Sequence, residues 1–231
     1  MTMKQWIYDV LPSTNDVAVD LARKGESGVV CAKTQTMGRG RKGRTFESQT
    51  GGLYCSFIFQ YKDFLATRAF EIMRKSCLAV VKTLEKFGIS AGIKWPNDVL
   101  VNGKKICGVL IETALSGKNI AYAVVGVGIN VNNVLGAEIR DIATSMSLLT
   151  GKTWEVEDVL DELCRNMQRE YTAEDYCAHL LTLEKNVLVE DEKGAYPAVC
   201  TGIAEDGRLI VEVDGTPRFV SAGDVTVRES K

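Results

Sequence analysis

In the stretch VLVNGKKICGVLIET, residues 99–113, the pair Asn102-Gly103 separates two apolar runs. A type I′ turn requires positive φ at both central positions, and Asn-Gly supplies it readily, so the runs are predicted to fold back as an antiparallel hairpin. A lone hairpin is marginal in water and needs further strands or a helix to bury its apolar face. GVVCAKT at 28–34, LYCSFIFQ at 53–60 and IAYAVVGVGINV at 120–131 can supply those strands. Their apolar residues do not alternate with polar ones, which is the pattern of strands covered on both faces. A shorter strand is expected around Trp6 to Val10.

Helices must provide the cover. STNDVAVDLARKGE reads as a capped helix starting at Ser13 or Thr14, with Val17, Ala18, Leu21 and Ala22 on one face and Gly25 as its stop. Between 67 and 88, Phe70, Met73, Cys77, Val80, Val81, Leu84 and Phe87 recur at three- and four-residue intervals, predicting a long amphipathic helix ended by Gly88. Residues 155–171 repeat the pattern. Hairpins mixed with helices, instead of regular alternation, indicate an α+β fold: a mixed, largely antiparallel sheet packed with helices. Beyond about Leu183 the texture changes to short strand-like runs broken at Asp206-Gly207 and Asp214-Gly215. A small C-terminal β-barrel is therefore expected at 183–231, packed closely on a main domain at 1–182.

Composition narrows the function. In 231 residues, 45% are apolar and 25% charged, the balance of an ordinary globular protein, and no apolar run approaches the about 18 residues of a membrane span. The start MTMKQWIYDVLPSTND lacks the features of a secretory signal, so a cytoplasmic location is expected. Seven cysteines, odd in number and without a C-x-x-C pair, suit a reducing compartment better than a disulfide frame or a metal site. His179 is the single histidine, which excludes most histidine-based catalysis and favours a structural role for it. A net charge of -2 argues against nucleic-acid binding by the whole surface.

Against that charge, TMGRGRKGRTF at 36–46 packs three glycines and four cations into one loop between two core strands. Glycines let backbone N–H groups approach an anion, and arginines add charge-assisted bonds to phosphate or carboxylate. The loop matches neither the G-x-x-x-x-G-K-[ST] phosphate loop nor a G-x-G-x-x-G dinucleotide turn. Read alone, such a run is more often a solvated basic turn or a nucleic-acid patch than a ligand loop. In KWPND at 94–98, Pro96 breaks the chain and presents Lys94, Asn97 and Asp98 beside a strand. Taken singly, that segment is as much an ordinary turn beside a buried Trp95. Lys105 follows the hairpin turn, and a glycine inside a strand, as Gly108 is, often marks a close approach by ligand or backbone; a surface lysine and a tolerated strand glycine are the plainer alternatives. GVGIN brings Gly126, Gly128 and Asn130 to the end of an apolar strand, where pockets often open, although taken alone it reads first as a turn after a buried strand.

The combination STN (13–15), Gln35 followed by GRGRKGR (38–44), KWPND (94–98), KKICGVLIE (104–112) and GVGIN (126–130) resembles the biotin protein ligases in order and spacing. The resemblance runs over nearly the whole chain, and the β-rich tail is similar to that family's small SH3-like barrel. The winged helix-turn-helix of members that double as repressors is missing, which implies a monofunctional ligase with no DNA partner. The resemblance implies that biotin and ATP, with Mg²⁺, form biotinyl-5′-AMP, and that biotin then passes to a lysine of a biotin carboxyl carrier protein.

Carried over by motif, Ser13, Thr14, Asn15, Gln35, Gly38 and Gly108 would bind biotin, with Arg39, Arg41 and Lys105 on its carboxylate. Arg39, Arg41, Arg44, Phe46, Lys94, Trp95, Asn97 and Asn130 would bind ATP. Arg39, Arg41, Lys105 and Asp98 would carry catalysis, and the protein itself would offer no metal site. The Gly-rich loop would close over the adenylate. A lipoate–protein ligase and a non-catalytic biotin- or nucleotide-binding module are the alternatives. A homodimer through an exposed strand edge stays open.

Overall fold

The computed structural model describes residues 3–191, 194–222 and 226–229. The main body runs β1 (Gln5–Leu11), α1 (Thr14–Arg23), β2 (Gly28–Gln35), β3 (Leu53–Leu65), α2 (Ala69–Lys86), β4 (Gly92–Lys94), β5 (Asp98–Val101), β6 (Lys104–Ser116), β7 (Asn119–Ile129), α3 (Met146–Thr150), α4 (Val156–Asn166) and α5 (Ala173–Ala178). Its seven strands form one sheet in the order β1-β2-β3-β7-β6-β5-β4. Only β1 and β2 pair in parallel; the rest is antiparallel, so the sheet is mixed and largely antiparallel as expected. The Asn102-Gly103 turn joins β5 to β6 with φ of 49° and 77°, the positive values on which the hairpin reading relied.

Successive strand residues point to opposite faces, which explains the unbroken apolar runs. Val30, Ile58 and Val124 meet Ala18 and Ala22 of α1 on one face. Val29, Phe57 and Val125 join Val80 and Leu84 of α2 and Leu163 of α4 on the other. The α1 stripe is rotated from expectation: Thr14, Asn15, Ala18 and Ala22 are its buried residues, while Val17 and Leu21 are half-buried. Small residues at 18 and 22 let this helix lie close to the sheet, and Thr14 and Asn15 of its first turn are buried with them.

The helix α2 ends where Gly88 takes φ 77°, as its sequence requires. By contrast α4 stops at Asn166, short of residue 171. There the Asn166 amide turns inward to donate to Thr83 Oγ1 at 3.2 Å and Glu162 Oε1 at 3.0 Å. The Tyr171 hydroxyl caps its carbonyl at 3.2 Å, satisfying an acceptor that the helix leaves open. His179 bridges Asp175 O and Glu85, tying α5 to α2, and is structural.

The C-terminal strands β8 (Asn186–Asp191), β9 (Gly194–Ile203), β10 (Leu209–Val213), β11 (Thr216–Val220) and β12 (Thr226–Glu229) form a second, antiparallel sheet in the order β11-β10-β9-β8-β12. Val187, Val189, Cys200, Leu209 and Val211 from this sheet belong to the same buried cluster as α2 and the large sheet. The two parts thus pack closely. Among the described residues no helix is long and apolar enough to cross a membrane.

Leu84 is fully buried between α2 and the sheet. Leu84→Ala should lower the unfolding free energy by about 2–5 kcal/mol, read as a fall in urea midpoint at unchanged slope. A loss below about 1 kcal/mol would contradict this packing.

Candidate functional site

Toward the first turn of α1, the same sheet face turns mostly to small side chains. Ser56 of β3 stands opposite Gly126 of β7, which in turn faces Leu110 of β6, and Gly128 of β7 pairs with Gly108 of β6. Small residues leave a hollow there, and the buried polar turn of α1 forms one wall. A Cβ at Gly126 would strike the Asn15 side chain, so the glycine is what admits Asn15.

The polar wall is one connected network. Ser56, fully buried, lies 2.6 Å from Asn15 Oδ1 and 2.8 Å from Thr14 Oγ1. The Thr14 backbone N–H and hydroxyl both donate to Gln35 Oε1, at 2.8 and 3.0 Å. The Asn15 amide donates to Glu112 Oε1 at 2.8 Å. Helix capping does not explain Ser13, which sits at the N-cap without a side-chain cap bond. These groups are held by one another and face the hollow.

Opposite them lies the Gly-rich loop. It folds back on itself through Phe46 N–H to Gly38 O at 2.9 Å and Gly40 N–H to Arg44 O at 2.6 Å. At its tip a single helical turn, Arg41–Gly43, uses positive φ at Lys42 and Gly43. Arg39 donates to Asp16 at 2.7 Å and to Glu112 at 3.2 Å. The Asp16 hydrogen bond, with Glu112 behind it, holds the Arg39 guanidinium protonated even beyond its usual range. Arg41 donates to Asn97 Oδ1 at 2.9 Å and to the carbonyl of Ala222 at 3.0 Å. Lys105 pairs with Asp98 at 2.8 Å.

Two adjoining cavities result. The first is lined by Ser13, Thr14, Asn15, Gln35, Arg39, Arg41, Phe46, Asn97, Lys105 and Gly108, among others. It holds about 50 Å³ of free space, well under the roughly 300–1,000 Å³ of ligand pockets. The Phe46 ring accounts for this: it lies across Gly108 and Gly128, 5.8 Å from Lys105 Nζ. The second cavity, about 240 Å³, brings Arg41, Lys42, Arg44, Lys94 and Lys105 around Trp95, Asn97 and Asp98. Asp98 is the one carboxylate lining it among the described residues.

Most of the residues singled out from sequence therefore converge. Gly38 sits behind the first cavity, packed on Ser48 and the Phe46 carbonyl. Trp95 is 7% exposed and its indole N–H donates to Gly207 O at 3.0 Å, linking this site to the C-terminal sheet. Asn130 lines neither cavity; its amide donates to Thr144 O at 3.0 Å and its carbonyl accepts from Asn133 at 3.1 Å. Sequence reading missed Asp16, Ser48, Ser56 and Glu112. Ser56 alone had a visible signal, as the polar residue at the centre of an apolar strand.

Chemically, one end offers neutral donors and acceptors and the other concentrates positive charge. That suits a polar ring carrying an anionic tail, next to a polyanion. Cys55 lines the first cavity, but burial pushes its thiol well up, so it is no thiolate nucleophile near neutrality. Among the described residues no group of three or more His, Cys, Asp or Glu side chains could hold a metal ion. Such a site works by positioning and charge neutralisation.

Comparison with known proteins agrees. The model of the biotin/lipoate A/B protein ligase family matches residues 7–130. The bifunctional ligase/repressor BirA of Bacillus subtilis is 32% identical over 94% of this chain and 72% of its own length. The biotin--[acetyl-CoA-carboxylase] ligase of Mycobacterium tuberculosis is 30% identical over 94% of this chain and 87% of its own. The biotin protein ligase from Aquifex aeolicus, solved in complex with biotin and ATP, superposes with a TM-score of 0.80 at 30% identity, covering 98% of this chain and 99% of that one.

The Ser56 hydroxyl, with one proton to give, holds the Asn15 carbonyl inside the fold at 2.6 Å. Ser56→Ala, which strands the Asn15 carbonyl, should cost about 1–3 kcal/mol in denaturant unfolding. An unchanged midpoint would mean that the network is not held by this hydroxyl.

Proposed function

Because the chain belongs to the biotin/lipoate A/B protein ligase family, we propose that it is an ATP-dependent biotin–protein ligase, biotin–[biotin carboxyl-carrier protein] ligase. A biotin carboxylate oxygen attacks the α-phosphorus of ATP, pyrophosphate leaves, and biotinyl-5′-AMP results. The amine of a carrier-protein lysine then attacks the acyl carbon, AMP leaves and an amide forms. The observation that carries this reading is a polar hydrogen-bonding wall in one cavity set beside the cationic lining of the next. A ureido ring has a carbonyl and two N–H groups for that wall. Lipoate's dithiolane ring has neither, so lipoate is the weaker reading.

Ser13, Thr14, Asn15 and Gln35 are the proposed ring contacts, with Gly38, Arg39 and Gly108 contributing backbone groups. Arg39, Arg41 and Lys105 neutralise the carboxylate and α-phosphate as two anions approach, the main barrier to adenylation. Arg44 and Lys94 take the outgoing pyrophosphate, Phe46 stacks on adenine, and Trp95, Asn97 and Asn130 support the nucleotide. Asp98, paired with Lys105, orients that lysine and, in transfer, the acceptor amine. Mg²⁺ suits this donor set only as an ion carried on the phosphates, with Asp98 as its protein partner, and would supply charge neutralisation. Residues 183–231 are read as an SH3-like barrel and 1–182 as the catalytic domain. The enzyme is read as cytoplasmic, with free cysteines throughout, acting on a carrier protein and not on DNA or membrane; a homodimer through a free strand edge is compatible with the fold.

The test is pyrophosphate release from ATP with biotin or lipoate. Biotin-dependent release is expected, reduced about 10²–10³-fold in kcat by Lys105→Met. Release with lipoate alone would make the chain a lipoate ligase, and none with either would leave a binding module. Hydrogen exchange in residues 36–43 should slow when biotin and ATP are both present, since the glycine-containing loop is read as closing over the adenylate and excluding water. Unchanged exchange would remove loop closure from the mechanism.

A further inference from the structure

Ser48 belongs to none of the sequence motifs, yet it is 5% exposed and its hydroxyl is engaged on two sides. Oγ donates to the Phe46 carbonyl at 3.0 Å and accepts from Gln35 Nε2 at 2.8 Å. A hydroxyl has one proton, so the bond to Phe46 leaves only lone pairs toward Gln35. The Gln35 atom opposite it is then the amide nitrogen. At its other end the same amide accepts from both donors of Thr14, at 2.8 and 3.0 Å. Donors on one side and an acceptor on the other lock the carboxamide in one of its two orientations, at the wall of the first cavity.

The backbone repeats this link. Gln35 N–H donates to Ser48 O at 3.0 Å, so the two residues close the neck of the whole Gly-rich loop. A Cβ at Gly38 would run into Ser48 Oγ and Phe46 O, so the loop's first glycine exists to let this junction close. Phe46, whose carbonyl Ser48 holds, lays its ring over Gly108 and Gly128 inside the cavity. One hydroxyl therefore joins the amide that meets the ligand ring to the residue whose side chain fills the cavity.

We infer that Ser48 is a positioning residue for biotin recognition: it sets the orientation of the Gln35 amide and couples it to the placement of Phe46. This rests on the biotin ligase reading above. A serine that merely stabilised the loop neck would contribute to folding independently of Gln35, whereas a positioning serine acts on the ligand through Gln35.

A double-mutant cycle on biotin binding, measured by calorimetry alongside steady-state kinetics, separates the two. Ser48→Ala should weaken biotin binding and raise its KM about 5–10-fold, the loss of one hydrogen bond to the recognition amide, with kcat changed less than about twofold. In a Gln35→Ala background the same substitution should add less than about twofold, because contacting residues couple. Ser48→Thr, which keeps the hydroxyl, should restore binding. Ser48→Cys, nearly the size of serine but a weak donor, should behave like Ser48→Ala and serves in its place if the alanine variant is unfolded by circular dichroism. Additive effects in the cycle, or a normal KM in a folded variant lacking the hydroxyl, would overturn the inference while leaving the ligase reading intact. Wild-type protein that binds no biotin would overturn the reading itself.

Discussion

The site depends on a change in side-chain size along one face of β3, β7 and β6. Where α1 covers that face, Val30, Ile58 and Val124 pack against alanines; one turn further along, Ser56, Gly126, Gly128 and Gly108 take over. A packed interior tolerates no void, so the hollow must be filled by something, and here it is filled by polar groups of α1 and by the Phe46 ring. Burying Thr14, Asn15 and Ser56 is tolerable because Thr14 donates to Gln35, Asn15 to Glu112 and Ser56 to Asn15. The helix start is thus held in place by its own hydrogen bonds.

Electrostatics in the loop follow from the same economy. A run of cations with no anion present would repel itself, and Arg39 and Lys105 instead lie on Asp16, Glu112 and Asp98. The Arg39 pairs are partly exposed, with side chains about 40–50% accessible, so each is worth only about 0–1 kcal/mol. They tie the loop to α1 and β6 without fixing it rigidly.

The C-terminal sheet takes part through main-chain carbonyls. Gly207 O receives the Trp95 indole and Ala222 O receives Arg41. Because the accepting atoms are backbone, no residue type in the last forty positions advertises the link. Its apolar inner face also merges with the main core, which makes the tail a structural continuation of the sheet and helix layers.

Local chemistry alone determined much of the fold. Asn102-Gly103 required a hairpin, the three- and four-residue spacing required α2, and Gly88 ended it, all within a few residues of chain. The clustering of Gly, Arg and Lys in one loop, and the Pro-Asn-Asp break after Trp95, likewise marked most of the candidate site. Tertiary structure decided the rest. The rotation of α1 that buries Thr14 and Asn15, the early stop of α4 at Asn166, and the placing of Asn130 behind the cavities all depend on partners far off in the chain. Ser48 and Ser56 become important only when folding brings them to Gln35 and Asn15, 13 and 41 residues away. Propensity acts between neighbours in sequence, whereas a buried hydrogen bond is set by which groups the packed sheet brings together.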